Sequence, residues 1–248
     1  DNFSTGARDN LPQGVKCIEM DVNDPSLDVV FTQGHFDAVV HLAGQTTVHI
    51  SMASPALDGE ENVSGSIHVL EQARRTKVQR VIFASTAASY GDVAEESLPI
   101  VESEPLHPMS FYGLSKVTVE HYLRLYQQSF GLDFVILRFA NVYGERQGNG
   151  GEGGVISIFA KRLAEGRALT IYGDGEQTRD FIYAGDIAAG ICAALHTEHV
   201  NHAYNLSTQT ETSLRELVAI LADVSGRDIE PCCLEARPGD IYKSMLAN

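Results

Sequence analysis

Two side chains four residues apart open the reading: Tyr112 and Lys116, in Phe111-Tyr112-Gly113-Leu114-Ser115-Lys116. On a helix they face the same way, one turn apart. An ammonium beside a phenol favours the phenolate and lowers its pKa from about 10 towards neutrality. Tyr112 is therefore a candidate general base for a hydroxyl proton. Surface helices often carry the same spacing by chance, so the flanks matter. Pro108 and Ser110 suit a helix start, and Val119, Tyr122, Leu123, Tyr126 and Phe130 make an apolar face of period 3.6. Gly131 suits the helix end. Upstream, the apolar run Val81–Ala84 enters Ser85-Thr86-Ala87-Ala88, and the Thr86 hydroxyl can both give and accept a proton.

The elements that must position these groups alternate. Val15–Met20 ending at Asp21, Asp37–Leu42 before Gly44, Val81–Ala84 and Phe134–Phe139 read as strands. Val63, Ile67, Leu70 and Ala73 mark a helix between the second and third. Strands alternating with helices predict a doubly wound parallel α/β sheet, which binds ligands at the carboxyl ends of its strands. Leu42-Ala43-Gly44, Ser85-Thr86 and Phe139–Asn141 all fall at such ends. Gly44 lets backbone approach a ligand closely. After Tyr143 the pattern changes. Gly144 to Gly154 is glycine-rich without apolar period, and reads as a mobile loop. Helices are expected at Val155–Ala164 and Asp186–Leu195, and strands at Leu169–Tyr172 and Ala203–Leu206. Ser213-Leu214-Arg215-Glu216 is a capping box opening a helix through Val224, with Gly226 past its end. These mixed short elements predict a smaller substrate lobe, over 155–248, beside a first lobe over 1–154, with some segments crossing between them.

The chain has 248 residues, of which 44% are hydrophobic, enough for one large or two small cores. No apolar run reaches the length of a membrane span. The net charge of −15 argues against nucleic acid and anionic membranes as partners. It also requires that any phosphate site be built locally, from helix ends and a few arginines. Cys17, Cys192, Cys232 and Cys233 show no Cys-x-x-Cys spacing, so reduced thiols and a cytoplasmic location are expected. His196, His199 and His202 lack the spacing and partners of a zinc site, and no metal is expected. Gly148–Gly154 lacks the Lys-Ser/Thr of a nucleoside triphosphate loop, but runs into a helix at Val155 whose free N–H groups could hold a diphosphate.

Thr86, Tyr112 and Lys116 do not stand alone. With them come Asp1-Asn2-Phe3-Ser4-Thr5-Gly6, His41-Leu42-Ala43-Gly44 and Arg138-Phe139-Ala140-Asn141-Val142-Tyr143-Gly144. Further on follow Gly173-Asp174-Gly175-Glu176-Gln177-Thr178-Arg179-Asp180-Phe181 and Arg237-Pro238-Gly239-Asp240. In this order the chain resembles the extended short-chain dehydrogenase/reductase family, and within it the nucleotide-sugar epimerases of the UDP-glucose 4-epimerase type. The resemblance implies a Rossmann-like fold, bound NAD, a UDP-sugar substrate and a homodimer packed through the Tyr112 helix. It implies transient oxidation at carbon 4, with Tyr112 as base, Thr86 in the proton relay and Lys116 also on the nicotinamide ribose.

The resemblance also distributes the remaining site residues. Asp1 at a strand tip would accept the adenosine ribose hydroxyls and favour NAD over NADP. Asn2, Ser4, Thr5 and Gly6 follow it. Asp21 and Val22 match the adenine contact, and Leu42, Ala43, Gly44, Ala84, Ser85 and Phe139 line the cofactor. Asn141 and Val155 match substrate contacts, Thr170 and Tyr172 border the nucleobase, Arg179 and Arg237 grip the diphosphate, and Asp240 binds the uridine ribose. Ser244, four positions after Asp240, matches a residue near the sugar 2-substituent, where a small side chain makes room for an N-acetyl group. The family begins with a strand, a Gly-x-x-Gly-x-x-Gly turn and a helix that this sequence lacks, and continues past Arg-Pro-Gly-Asp, so a fragment is expected. Relatives that dehydrate at carbons 4 and 6 carry Asp-Glu after the Thr, where Ala87-Ala88 stand here. A reductase, a decarboxylase or a non-catalytic dinucleotide sensor are the other readings.

Overall fold

The computed structural model describes residues 1–148, 154–236 and 241–248. Its central layer is a parallel sheet of four strands: β1 (Ala38–His41), β2 (Arg80–Thr86), β3 (Asp133–Phe139) and, last in the chain, β8 (His202–Leu206), in the order β1-β2-β3-β8. Val81, Ile82 and Phe83 are buried, as are Phe134 to Leu137, because helices cover both sheet faces. Alternation divides these side chains. Val81, Phe83, Phe134 and Ile136 meet α1 (Leu27–Gly34), α4 (Gly65–Arg75) and α5 (Phe111–Phe130) through Phe31, Val69, Leu70, Val119 and Leu123. Ile82, Val135 and Leu137 meet α7 (Ala184–His196) through Ile191 and Ala194. The pairing register sets Thr86 beside Phe139 and Phe139 beside Leu206, so the strand ends finish on one line.

Helix α5 begins and ends as its sequence dictates. The Ser110 hydroxyl accepts from the Gly113 N–H at 3.1 Å, and Gly131, at φ 71°, closes the helix in the left-handed region. The helix leading into α4 begins earlier than its apolar spacing suggests. Two short helices, α2 (Val48–Ala53) and α3 (Pro55–Asp58), precede a π-helical turn over Gly59–Ser64 that runs into α4. The buried face there is Asn62, Ser66, Val69, Leu70 and Ala73, so Val63 and Ile67 are only half-buried.

A smaller body is built on Phe159, Leu169, Ile171, Leu217 and Val218. It contains α6 (Val155–Ala164), β5 (Thr170–Tyr172), α8 (Leu214–Ser225) and β10 (Cys232–Leu234), which pairs with β5. The capping box is formed: Ser213 Oγ accepts from the Glu216 N–H while the Glu216 carboxylate accepts from the Ser213 N–H, and Gly226 closes α8. Short pairs, β4 (Asn141–Tyr143) with β7 (Phe181–Tyr183) and β6 (Thr178–Arg179) with β9 (Thr212–Ser213), join the two bodies. β8 lies beyond residue 154 yet forms one edge of the large sheet. A strap over 241–248 buries Leu246 completely. Ile100 donates to Met245 O at 2.9 Å and accepts from the Ala247 N–H at 2.8 Å.

One expected element does not form. Val15–Met20 is not a strand: its ladder is confined to Asp1, whose carbonyl accepts from the Met20 N–H and whose amino group donates to Ile18 O. Without a longer ladder, an apolar alternation does not make a strand.

Between α5 and the sheet lies a buried ion pair that pattern reading did not find. Arg138 on β3 holds Glu120 on α5 through two bonds, Nη2 to Oε2 at 2.6 Å and Nε to Oε1 at 3.0 Å, with both side chains 3% exposed or less. Ser85 Oγ donates to the same carboxylate at 2.6 Å, and Arg138 Nη1 donates to the Tyr90 hydroxyl, which donates to Asn205 Oδ1. Glu120→Ala leaves a buried guanidinium without its counter-charge. It is expected to lower stability by about 3–5 kcal/mol in urea unfolding; a loss below about 1 kcal/mol would show that water compensates Arg138.

Candidate functional site

The parallel register brings the expected groups together. Thr86 ends β2, Phe139 ends β3, and Tyr112 sits in the first turn of α5 above them. The Thr86 hydroxyl stands near enough to the Tyr112 phenol to favour its ionised form. Both line a cavity of about 680 Å³ whose walls also carry Thr5, Ser85, Phe139, Asn141, Val155, Arg179 and Ser244. A neighbouring cavity of about 390 Å³ shares Asn141, Val155 and Arg179, and adds Thr170 and Tyr172. Tyr242, two residues before Ser244, turns outward and donates to Asp174 Oδ2 at 3.0 Å, which leaves Ser244 on the cavity wall.

Other expected residues stand outside these walls. Asp1 is spent on its own turn, with Oδ1 accepting from the Phe3 N–H at 2.6 Å. Asn2 donates to Asp21 Oδ2 at 2.6 Å, and Asn2 Oδ1 accepts from the Ser4 N–H. The Asn23 backbone N–H holds the Asp21 carboxyl below its usual range. Gly6 lies against Asp1, and Val22 packs under Gly65 and against the first core. Ala84 is half-buried on β2, while Ser85, which does reach the cavity wall, commits its hydroxyl to Glu120. Arg237 and Asp240 lie outside the described residues, as do residues 149–153 of the glycine-rich loop.

Lys116 corrects the opening argument. Its ammonium lies 5.0 Å from the Phe83 ring centroid and 5.9 Å from that of Tyr112. Burial pushes the Tyr112 phenol above its ordinary value, against the Thr86 hydroxyl that pulls it down; the nearby Asp58 charge pushes the same way as burial. Burial also lowers Lys116 to about 8, with Asp58 opposing. Desolvation by burial is the largest influence on both side chains, and at each it works against the charged form.

The site also contains residues that motif reading passed over. Gln147 lines the large cavity with Arg146 and Thr46; its Nε2 donates to Val142 O at 3.0 Å and its buried Oε1 has no partner among the described residues. Asn62, Gln45 and Asp58 form a buried cluster behind Lys116. Their signal was a helix whose buried face began with polar residues.

The residues present fit a dinucleotide. Leu42 is 52% exposed beyond β1, leading into Ala43-Gly44. Gly44 has φ 144°, and a Cβ there would stand 2.3 Å from the buried, unpartnered Asn62 Oδ1. The chain thus keeps bare backbone against the Asn62 amide next to Lys116, where a side chain would block close approach of a ligand to the backbone.

Lys116 sets a stability test. Its folded value of about 8 lies below the ordinary 10.5, so below pH 8 it is charged in both states and its burial opposes folding. Between pH 8 and 10.5 the native state gives up its proton first, and stability rises with pH by about 3 kcal/mol from this group. Lys116→Met is expected to unfold at higher urea than the parent at pH 7, with the difference shrinking towards pH 10; a difference constant over that range would contradict the buried charge.

The sequence pattern of the NAD dependent epimerase/dehydratase family matches residues 1–207. The UDP-glucose 4-epimerase of Thermotoga maritima, solved with UDP-glucose, is 36% identical and superposes with a TM-score of 0.96 over the whole chain and 80% of its own. The UDP-N-acetylglucosamine 4-epimerase of Methanobrevibacter ruminantium, solved with UDP-N-acetylmuramic acid, is 34% identical with a TM-score of 0.94, over the same shares of each chain. The UDP-glucose 4-epimerase of Thermus thermophilus, solved with NAD, is 38% identical with a TM-score of 0.91, covering the whole chain and 81% of its own. This chain belongs to the NAD dependent epimerase/dehydratase family.

Proposed function

We propose that the protein epimerises a UDP-hexose at carbon 4, with NAD as its cofactor. The observation that carries this is Thr86 and Tyr112 side by side on the wall of a cavity that also carries Arg179 and Ser244. A sugar diphosphate lying from Arg179 and the start of α6 towards Tyr112 sets its hydroxyls against that pair. Tyr112 takes the 4-hydroxyl proton with Thr86 in the relay, and returns it to the opposite configuration once the keto sugar has turned. NAD, when bound, supplies the hydride acceptor at carbon 4 and the donor for its return, so the net redox change is zero. Asp1–Gly6 (without Phe3), Asp21, Val22, Leu42–Gly44, Ala84, Ser85, Phe139 and the Lys116 ammonium are the residues assigned to holding it. Asn141, Val155, Thr170, Tyr172, Arg179, Arg237, Asp240 and Ser244 are assigned to the UDP-sugar. Ala87-Ala88 after Thr86 offer no acid or base, which disfavours dehydration. The binding of UDP-glucose and NAD by the Thermotoga and Thermus relatives supports the same reading.

In this reading residues 1–154 form the cofactor lobe and 155–248 mainly the substrate lobe, with α7 and β8 crossing back. The partner is a second copy of the chain: Phe111, Leu114 and Leu125 recur on one side of α5 at 41–58% exposure, beside Val48 and Met52 on α2. Such a stripe suits helix-on-helix packing. No described helix is long and apolar enough to cross a membrane, and all four cysteines are free, consistent with a cytoplasmic location.

Incubating the full-length protein with UDP-galactose and following UDP-glucose without added NAD tests the reading; turnover that consumes NAD or NADPH stoichiometrically would overturn it. Tyr112→Phe keeps the ring and removes the proton acceptor, so turnover is expected to fall about 10²–10⁴-fold with the fold intact. Near-normal turnover in that variant would assign the base elsewhere. Ser244 leaves space at the cavity wall, and the Methanobrevibacter relative is an N-acetylhexosamine epimerase. Ser244→Tyr is expected to cut UDP-N-acetylglucosamine turnover by an overpacking effect of about 1–3 kcal/mol and to leave UDP-glucose nearly unchanged. Equal losses on both sugars would remove Ser244 from this role.

A further inference from the structure

Asp58 is a carboxylate only 1% exposed, at the end of α3, with no part in the chemistry above. Its Oδ1 accepts from Gln45 Nε2 at 2.8 Å and from Asn62 Nδ2 at 3.1 Å. Asn62 Nδ2 also faces Gln45 O at 3.0 Å and Ser115 Oγ at 3.1 Å, while the Ser115 hydroxyl donates to Tyr112 O at 2.9 Å. The amide therefore cannot turn over: a carboxylate and a carbonyl accept on that side, and only its NH₂ end can meet them. Its carbonyl is forced to the other side, where it is buried without a partner among the described residues, 2.3 Å from where a Gly44 Cβ would stand, a point itself 3.8 Å from Lys116 Nζ. The π-helical turn over Gly59–Ser64 brings Asn62 to this spot, one turn after Asp58. A buried charge with no guanidinium or ammonium bonded to it is expensive, and such a group persists where it serves a neighbour.

We propose that Asp58 is a positioning residue: its carboxylate fixes the Asn62 carbonyl beside Gly44 and Lys116, and supplies the negative charge that balances the Lys116 ammonium. The titratable groups facing it across the α5 contact are Lys116 and Tyr112; beyond Lys116, His41 on β1 is buried, hydrogen-bonded to Ser66 Oγ and held neutral. Asp58 raises both Lys116 and Tyr112, in keeping with this placement. Its role is to keep Lys116 charged and the pair's working range from drifting acidward. This rests on the reading of Tyr112 as the base, and the test separates the two.

The experiment compares full-length parent, Asp58→Asn and Asp58→Glu, with Tyr112→Phe as a blank. Tyr112 is titrated by its phenolate absorbance, which needs no sugar, and kcat is followed against pH. In Asp58→Asn the Tyr112 midpoint and the kcat profile are expected to move to lower pH by about 1 unit. Its kcat is expected to fall about 10²-fold from misplacement of the pair, with KM for the sugar nearly unchanged. Asp58→Glu, which keeps the charge, is expected to retain the parent's midpoint. A midpoint shifted in Asp58→Asn while the parent epimerises nothing would overturn the function and leave the positioning role standing. An unmoved midpoint and profile in Asp58→Asn, whatever its kcat, would overturn the positioning role. Should Asp58→Asn not fold, Asn62→Ser keeps the carboxylate and removes the amide it orients. A loss of kcat there with an unmoved Tyr112 midpoint supports the proposal, and a normal kcat overturns it.

Discussion

The bidentate pair between Arg138 and Glu120 fixes where the chemistry can happen. Tyr112, Lys116 and Glu120 lie at successive four-residue steps on α5, so one stripe of the helix carries the phenol, the ammonium and the anchor. Glu120 is clamped to the sheet by Arg138, and Ser85 beside Thr86 donates to the same carboxylate. The distance between the Thr86 hydroxyl and the Tyr112 phenol is thereby set by a charged joint two turns away, at the cost of burying two ions. A hydrophobic joint could hold the layers together equally well, but it would leave the helix freer to slide along its axis. The ionic joint has direction, and the reacting pair inherits it.

The same logic organises the opposite side of Lys116. There the polar cluster of Gln45, Asp58 and Asn62 meets α5 through Ser115, on a helix whose turn is widened to π geometry. Two buried polar assemblies thus grip one helix from different directions, one at Glu120 and one at Ser115. Apolar packing of Val119 and Leu123 fills the space between helix and sheet. Packing supplies the bulk of the stability, and the polar joints supply the coordinates.

Much of this was legible in the chain. Ser110 and Gly131 mark the ends of α5, Ser213 and Glu216 make their box, and the strand ends carrying Thr86, Phe139 and Asn141 converge as parallel topology requires. Two kinds of information were not legible. Local pattern cannot tell whether an alternating segment has a neighbour to pair with, and Val15–Met20 does not form a ladder. Nor can spacing weigh dielectric against proximity: Tyr112 and Lys116 are neighbours, yet burial shifts each against its charged form. Arg138, Glu120, Asp58 and Asn62 read as ordinary helix and strand polar residues until the layers close over them. Their importance comes from what surrounds them, which is a tertiary property.

The strap carrying Ser244 has a consequence for the order in which the protein acquires its abilities. Leu246 is sealed beneath Ile100 and Ser207, with its N–H on the buried Asp180 carboxylate, so the wall holding Ser244 is attached to segments made far earlier in the chain. During synthesis the four-stranded sheet and α5 can assemble once β8 has emerged, and the Thr86–Tyr112 pair with them. The sugar's enclosure waits for some forty residues more. A chain at that stage holds Thr86 and Tyr112 in place without the wall that carries Ser244, and docking of the strap supplies that wall.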